Sequence, residues 1–302
     1  MINSREWKAE GLLLLASAIW GFAFVAQRAG MAHVGPFTFN GVRFALGALV
    51  LLPFWKRSGP VRARPILISG IAAGTVLFLG ASLQQIGIVT TTAGKAGFIT
   101  GLYVVIVPLL GYLSGMRPGA AVWSGAILAL TGLYLLSVTG PIRLAPGDGW
   151  VLGSAFFFAL HVLLIGRLSG GARLPAIPLA AVQFATVSLL SVGAAIVTET
   201  PEAAGIRAAA IPILYGGLLS VGVAYTLQVA GQRHAAPGPA AIILSLEAVF
   251  AVLGGRLLLG ETISGRGLAG CALMLAGIVC AEGGRRRGRP ESVGGREEGE
   301  TP

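Results

Sequence analysis

The sequence has few charged residues: Asp, Glu, Lys and Arg make up only 11% of its 302 residues. A soluble domain carries about a quarter, and no stretch of this chain is polar enough to cover one. Cysteine is also scarce, since the only two are Cys271 and Cys280. On one predicted helix they would lie about 13 Å apart on opposite faces, beyond disulfide reach. A soluble or disulfide-stapled domain is therefore excluded.

The motifs of common enzymes are missing as well. The sequence has no Gly-x-Ser-x-Gly elbow, no His/Glu metal spacing, no membrane Asp pair and no glycine-rich nucleotide loop. We therefore expect no catalysis, no bound metal and no cofactor. The net charge of +10 comes from residues between apolar runs and in the tail. Without a basic groove-forming segment, it does not predict a nucleic-acid partner.

Long hydrophobic runs are what the sequence does contain. Hydrophobic residues make up 55% of the chain, and the mean hydropathy is +0.81. Because a helix needs roughly 20 apolar residues to cross a bilayer, the runs predict an all-α polytopic membrane protein with ten transmembrane helices. Their approximate limits are 11–29, 37–55, 66–89, 92–114, 119–138, 149–167, 177–197, 208–230, 237–259 and 265–283.

The chain also repeats itself. Residues 42–45 match 182–185 at a shift of 140, and Gly125 matches Gly270 at 145, which indicates an internal duplication. Each copy holds five spans, an odd number, so the second copy must be inverted in the membrane relative to the first. Inverted repeats are typical of secondary transporters. The predicted organisation is a cytoplasmic N-terminus at 1–10, five-helix repeats at 11–138 and 149–283, and a disordered cytoplasmic tail at 284–302.

Basic residues predict the orientation in the membrane. With the N-terminus in the cytoplasm, fifteen Lys and Arg residues fall on the cytoplasmic side and five on the other. This asymmetry favours cytoplasmic termini. We expect a multi-pass protein of the cell membrane, the inner membrane of a bacterium. Lys95, within one turn of the outer surface, is expected to extend its ammonium to water.

Glu247 is the only acidic residue well inside a predicted span, roughly 15 Å deep. Burying a carboxylate there is expensive, which favours a functional role, although a structural Glu247 that is paired with Arg43 or capped by hydroxyls is the alternative. A functional Glu247 either exchanges protons or holds the ammonium of a substrate. Tyr103 is its repeat partner and lies at similar depth from the opposite face.

Other deep polar or aromatic side chains complete the candidate site. Trp20 lies near the midplane, away from the interface that tryptophan prefers, and His161 could relay a proton or merely bond a neighbouring helix. Arg43 is a possible charge partner of Glu247 or a contact for an anionic group. The predicted substrate-binding residues are Trp20, Tyr103, His161, Tyr225 and Glu247.

Several of these residues belong to a set of motifs spread along the chain: Trp20-Gly21, Arg43, the 101–108 stretch, Ser-Leu-Glu-Ala-Val-Phe-Ala at 245–251, and Gly260-Glu261. With these motifs the sequence resembles the EamA-type permeases of the drug/metabolite transporter superfamily. The resemblance covers about residues 10–283 and implies ten helices, a central cavity and export of amino acids, metabolites or drugs. This chain has Ala248 where the family usually has proline.

The sequence therefore predicts a secondary carrier that exports a small organic solute by alternating access, driven by the solute's own gradient or by protons. One alternative is an exchanger of phosphorylated or nucleotide-linked solutes, which needs clustered cations where only Arg43 lies deep. A membrane assembly subunit without transport activity is another alternative. The pattern specifies no oligomeric state.

Overall fold

The computed structural model describes residues 4–56, 62–138, 145–171, 174–259 and 264–287, and these residues contain no β-strand. Arg57, Arg143, Arg173, Gly260-Glu261 and the tail from Gly288 lie outside the described residues. A short helix, Ala203–Ala208, leads into α8, and wide turns at Gly166–Gly171 continue α6. The main helices are α1 (Ser4–Gly30), α2 (Pro36–Trp55), α3 (Ala63–Thr90), α4 (Ala93–Leu113), α5 (Ala120–Ser137), α6 (Pro146–Ile165), α7 (Ala176–Thr198), α8 (Ala210–Gly231), α9 (Pro237–Leu244 and Glu247–Leu259) and α10 (Gly265–Arg287).

The described helices agree with a polytopic membrane protein. Eight of them, α1 to α8, are long and apolar enough to cross a bilayer. The apolar parts of α9 and α10, Pro237–Leu253 and Gly265–Ala281, are shorter, so the count of ten spans stays a prediction. Helix α10 also continues to Arg287, past residue 283, where we expected the disordered tail to begin.

Helices α5 and α10 show how the two repeats are related. A Cβ atom added to Gly125 would lie 2.6 Å from the carbonyl oxygen of Gly277, and one added to Gly132 would lie 2.5 Å from that of Gly270. The two helices are therefore antiparallel and in backbone contact. Because the duplication pairs Gly125 with Gly270 and Gly132 with Gly277, the contact is isologous, as a two-fold axis requires. An axis that relates two antiparallel helices lies across them, which is the geometry of an inverted repeat.

Contacts between connecting segments define the two ends of the bundle. At the first, called end A, Gly205 packs on the carbonyl of His33, and Arg28 Nη1 donates to the carbonyl of Ile88 at 2.6 Å. At the opposite end, called end B, Gly231 packs on Ala9. Arg207 lies in the short helix at end A, whereas Arg62 precedes α3 at end B. The segments bearing these two arginines thus lie at opposite ends, as the inverted arrangement predicts.

End A is held together by a charged cluster that sequence reasoning missed. Lys95 Nζ contacts Asp148 Oδ2 at 2.5 Å, and Thr91 Oγ1 donates to Asp148 Oδ1 at 2.6 Å. The backbone N–H of Ala145 donates to Asp148 Oδ2 at 2.8 Å. The ammonium of Lys95 therefore pairs with a carboxylate at the start of α6, and the expectation that it simply reaches for water is corrected.

Three helices depart from regular α geometry beside the bundle centre. Helix α4 is interrupted at Leu102, and α9 at Ser245 and Leu246, where i to i+3 hydrogen bonds tighten the turn. In α8 the segment Tyr215–Tyr225 is a π-helix, a form found often at functional sites. Tyr103 and Glu247 directly follow the two tightened turns. The interruption of α9 thus forms with Ala248 in place of proline.

Candidate functional site

A central cavity lies between helices of both repeats. Its wall contains every residue that the sequence singled out as a candidate: Trp20, Arg43, Tyr103, His161, Tyr225 and Glu247. The structure thus brings these side chains together, while their role in substrate binding stays a prediction. The remaining lining residues are Ala23, Phe24, Gln27, Gln84, Thr100, Phe158, Val162, Ser220, Gln228 and Leu244.

Trp20 and Tyr225 form the aromatic side of the cavity. Their ring centroids are 4.6 Å apart in an edge-on arrangement, which is favourable for aromatic pairs. The indole N–H of Trp20 donates to the carbonyl oxygen of Ser220, in the π-helix, at 3.1 Å. From the start of the same π-helix, the hydroxyl of Tyr215 donates to the carbonyl oxygen of Ile19 at 2.8 Å. These bonds fix α1 against α8, and Trp20 is a cavity wall as well as a packing residue.

Glu247 and Tyr103 face each other from the two broken helices. Each side chain is 4% exposed. Glu247 Oε1 and the Tyr103 hydroxyl are both buried, and neither has a hydrogen-bond partner within 3.5 Å in acceptable geometry, although the two side chains lie close enough to interact with each other. Because under-satisfied buried polar atoms are costly, both atoms favour a solute group that enters between them, while capping of Glu247 by the hydroxyl stays the structural alternative.

Arg43 supplies the cation of the cavity wall. Its Nε donates to Asn40 Oδ1 at 3.0 Å, and its guanidinium carbon lies 5.2 Å from the ring centre of Phe39 and 5.1 Å from that of Phe44. Among the described residues, no carboxylate oxygen lies within 4.0 Å of its nitrogens. The direct ion pair with Glu247, which was one of the structural alternatives, is therefore not formed.

His161 is held by a neighbouring helix. Its Nε2 lies 3.0 Å from Gln183 Oε1, and its ring centroid is 6.1 Å from that of Tyr225. The histidine is only 1% exposed. Both sequence interpretations therefore meet at this residue, since it bonds to α7 and also lines the cavity.

Sequence reasoning missed several polar residues of the wall. Gln27, Thr100 and Ser220 line the cavity, and Gln84 Nε2 donates to Thr100 Oγ1 at 3.0 Å. For Gln27 a signal existed: it follows Trp20 by seven residues, the spacing that returns to one face of a helix. For Ser220 no such signal existed, because a π-helix shifts the register of every residue that follows it.

A second cavity, of about 1,100 Å³, lies at end B. It is bounded by the C-terminal part of α4, the start of α5, Leu163 of α6 and the start of α9. It shares no lining residue with the central cavity, although Val162 of the central cavity and Leu163 are adjacent in sequence. A solute on its way between the two would pass this part of α6.

Inverted helical repeats around a polar central cavity define a membrane transport protein. The EamA-like transporter family model matches this sequence twice, over residues 7–138 and 145–281. The chain therefore belongs to the EamA-like transporter family, and it is a multi-pass secondary membrane transporter for small molecules.

Similar proteins agree with this assignment. An uncharacterized transporter of Archaeoglobus fulgidus is 32% identical, over 88% of this chain and 83% of that protein. The threonine/homoserine exporter RhtA of Salmonella typhimurium is 26% identical, over 88% of each chain. The uncharacterized inner membrane transporter YedA of Escherichia coli is 25% identical, over 84% of each. One solved crystal structure has a TM-score of 0.76 at 21% identity, over 91% of this chain and 98% of that chain, which supports the fold.

Proposed function

We propose that this protein exports small organic solutes, foremost amino acids, by alternating access through the central cavity. The observation that carries the proposal is the convergence of Trp20, Tyr103, Tyr225 and Glu247 on one enclosed space between the repeats. Carriers built from inverted repeats bind substrate at such a midplane interface. The tightened turns in α4 and α9 lie where the repeats would move against each other.

The solute class is supported by a relative and by the chemistry of the wall. RhtA is named a threonine/homoserine exporter, and its similarity extends along most of this chain. The wall combines one carboxylate and one guanidinium with hydroxyl and amide groups. Such a mixture suits a small polar solute.

The distribution of basic residues supports an orientation in the membrane. Arg62, Arg64, Arg117 and Arg233 are described at end B, so the positive-inside rule favours an orientation with end B and both termini on the cytoplasmic side. The second cavity then opens on the cytoplasmic side. The membrane is the inner membrane if the source is a bacterium, as the name of the YedA relative suggests.

One alternative fits the cavity less well. An exchanger of phosphate esters needs several cations around the phosphate, whereas Arg43 is the only Lys or Arg among the lining residues.

Purified protein in proteoliposomes tests the proposal directly. Radiolabelled L-threonine and L-homoserine loaded inside should exchange with the same unlabelled amino acid outside, and empty liposomes should not do so. A panel of the other amino acids then defines the range. If no member of the panel moves above the empty-liposome rate, the proposed function is wrong.

Glu247→Gln tests the role of the carboxylate. We expect it to remove most transport and to leave protein abundance nearly unchanged, since the two side chains have almost the same volume. Glu202→Gln, at the surface of end A, is the matched control and should transport normally. Wild-type rates in the Glu247→Gln variant would make Glu247 a structural residue. Proton coupling further predicts transport that follows an imposed pH gradient, whereas simple ammonium binding does not.

A further inference from the structure

The central cavity holds an acidic and a basic group that do not pair with each other. Glu247 is 4% exposed and Arg43 is 2% exposed. No carboxylate oxygen of the described residues reaches Arg43 within 4.0 Å. A buried ionised group is normally paired, because leaving it unpaired is costly. A solute that offers an ionic partner to each group would therefore stabilise the ionised form of both.

Tyr225 links the aromatic side of the cavity to Arg43. Its ring lies 6.0 Å from that of Phe44, against which the guanidinium of Arg43 is stacked. The ring of Trp20, which lines the cavity, is 4.6 Å from that of Tyr225. Aromatic rings thus connect the cavity wall to the guanidinium, and they form a surface over which a solute would lie.

The polar atoms of the wall that could bind a solute form two groups, one around the carboxyl of Glu247 and one on the guanidinium of Arg43. Around the carboxylate, the Tyr103 hydroxyl and Glu247 Oε1 have no partner, and Gln228 Oε1 is a further unpartnered acceptor in the wall. An ammonium group has three donors and no acceptor, so it can satisfy such atoms together. The guanidinium of Arg43, which uses its Nε for Asn40, keeps its terminal nitrogens for a carboxylate.

We propose that the cavity selects zwitterions, with the substrate ammonium bound by Glu247 and Tyr103 and the substrate carboxylate bound by Arg43. This inference rests on the proposed transport of small solutes and names the charge pattern that such a solute must carry. A free amine would leave Arg43 unpaired, and an N-acylated acid would leave Glu247 unpaired. An amino acid with both termini free completes the two ion pairs.

Binding and transport can be tested separately with three forms of one amino acid. The probes are L-threonine, L-threonine amide, which lacks the carboxylate, and N-acetyl-L-threonine, which lacks the ammonium; matched L-homoserine and L-leucine sets cover other side chains. Dissociation constants come from ligand-dependent thermal stabilisation of the full-length protein in detergent, and rates from proteoliposomes. Wild-type protein should bind at least one free amino acid roughly tenfold to hundredfold more tightly than either blocked form.

Variants then assign each pole of the substrate. Arg43→Gln should abolish the preference for free amino acid over amide, with amide binding little changed, and Arg43→Lys should restore part of the preference. Glu247→Gln should abolish the preference over the N-acetyl form. Arg266→Gln is the control, because that guanidinium stacks on Tyr134 of α5, away from the cavity, and both preferences should persist.

The outcomes separate this inference from the proposed function. Transport of the blocked forms at the rate of the free amino acids would leave the transporter intact and overturn the zwitterion rule. Selective binding without transport would support the rule and contradict the transport proposal. If none of the probes binds or moves, both are wrong. If the Arg43 variants fail to fold, Glu247→Gln and the wild-type preference still decide the matter.

Discussion

The glycine contact between α5 and α10 gives a quantitative test of the two-fold arrangement. A methyl group at Gly132 would meet the carbonyl oxygen of Gly270 at 2.5 Å and Met274 Cγ at 2.7 Å. Because one of these atoms is backbone, a helix must move to admit the methyl group. Overpacking of this kind costs about 1–3 kcal/mol. The substitution Gly132→Ala also gains about 1 kcal/mol of helix propensity, which would obscure the contact.

Gly193→Ala removes that ambiguity. Gly193 lies inside α7, is exposed and has no atom within 4 Å of its added methyl group. The variant gains the same propensity and meets no neighbour. The difference between the two variants therefore isolates the contact, and we expect Gly132→Ala to be about 1–3 kcal/mol less stable than Gly193→Ala.

The free energy of unfolding can be measured by titrating purified protein in mixed micelles with SDS and following tryptophan fluorescence. Gly125→Ala, the second glycine of the contact, should behave as Gly132→Ala does. Equal stability of all three variants would refute the backbone contact and remove the main argument for the isologous pairing of α5 and α10.

Two further substitutions probe contacts at end A and between α1 and α8. Asp148→Asn removes the ion pair with Lys95 and should lower the free energy of unfolding by about 1 kcal/mol, less at high salt because Lys95 is partly exposed; the same loss at every salt concentration would contradict an ionic origin. Tyr215→Phe removes the hydroxyl bond to the backbone of α1 and should cost about 1 kcal/mol in the SDS titration. Tyr112→Phe, at a 60% exposed site, should leave the free energy of unfolding unchanged. Equal effects of the two substitutions would contradict the hydrogen bond assigned to Tyr215.

The repeat and the candidate cavity residues could be identified from sequence for physical reasons. Hydropathy reports burial in lipid directly, and the odd number of spans per repeat dictates inversion. A carboxylate such as Glu247 or a tryptophan such as Trp20 is conspicuous at the midplane because lipid tolerates so few of them. Depth alone was sufficient to choose these residues, and their convergence follows from the two-fold axis.

Other features depend on geometry that the sequence does not encode locally. The π-helix of α8 moves Ser220 into reach of the indole of Trp20. The pairing of Lys95 with Asp148 joins residues 53 positions apart in different repeats. Arg43 and Glu247 have opposite charges and similar surroundings, yet nothing in their sequence separation indicates that they remain apart.

The ion pair of Lys95 and Asp148 also makes the two halves of the transport cycle unequal. Under the duplication, the position of Lys95 corresponds to Pro239, which has no charge, so the same pair cannot form at end B. In a carrier with two identical repeats, the conformation closed at end A and the conformation closed at end B would have equal free energies. A bias of about 1.4 kcal/mol toward closure at end A already gives a tenfold excess of that form. A carrier without substrate would therefore spend most of its time with the cavity open to end B. In the proposed orientation, end B is the side from which an exporter takes up its substrate.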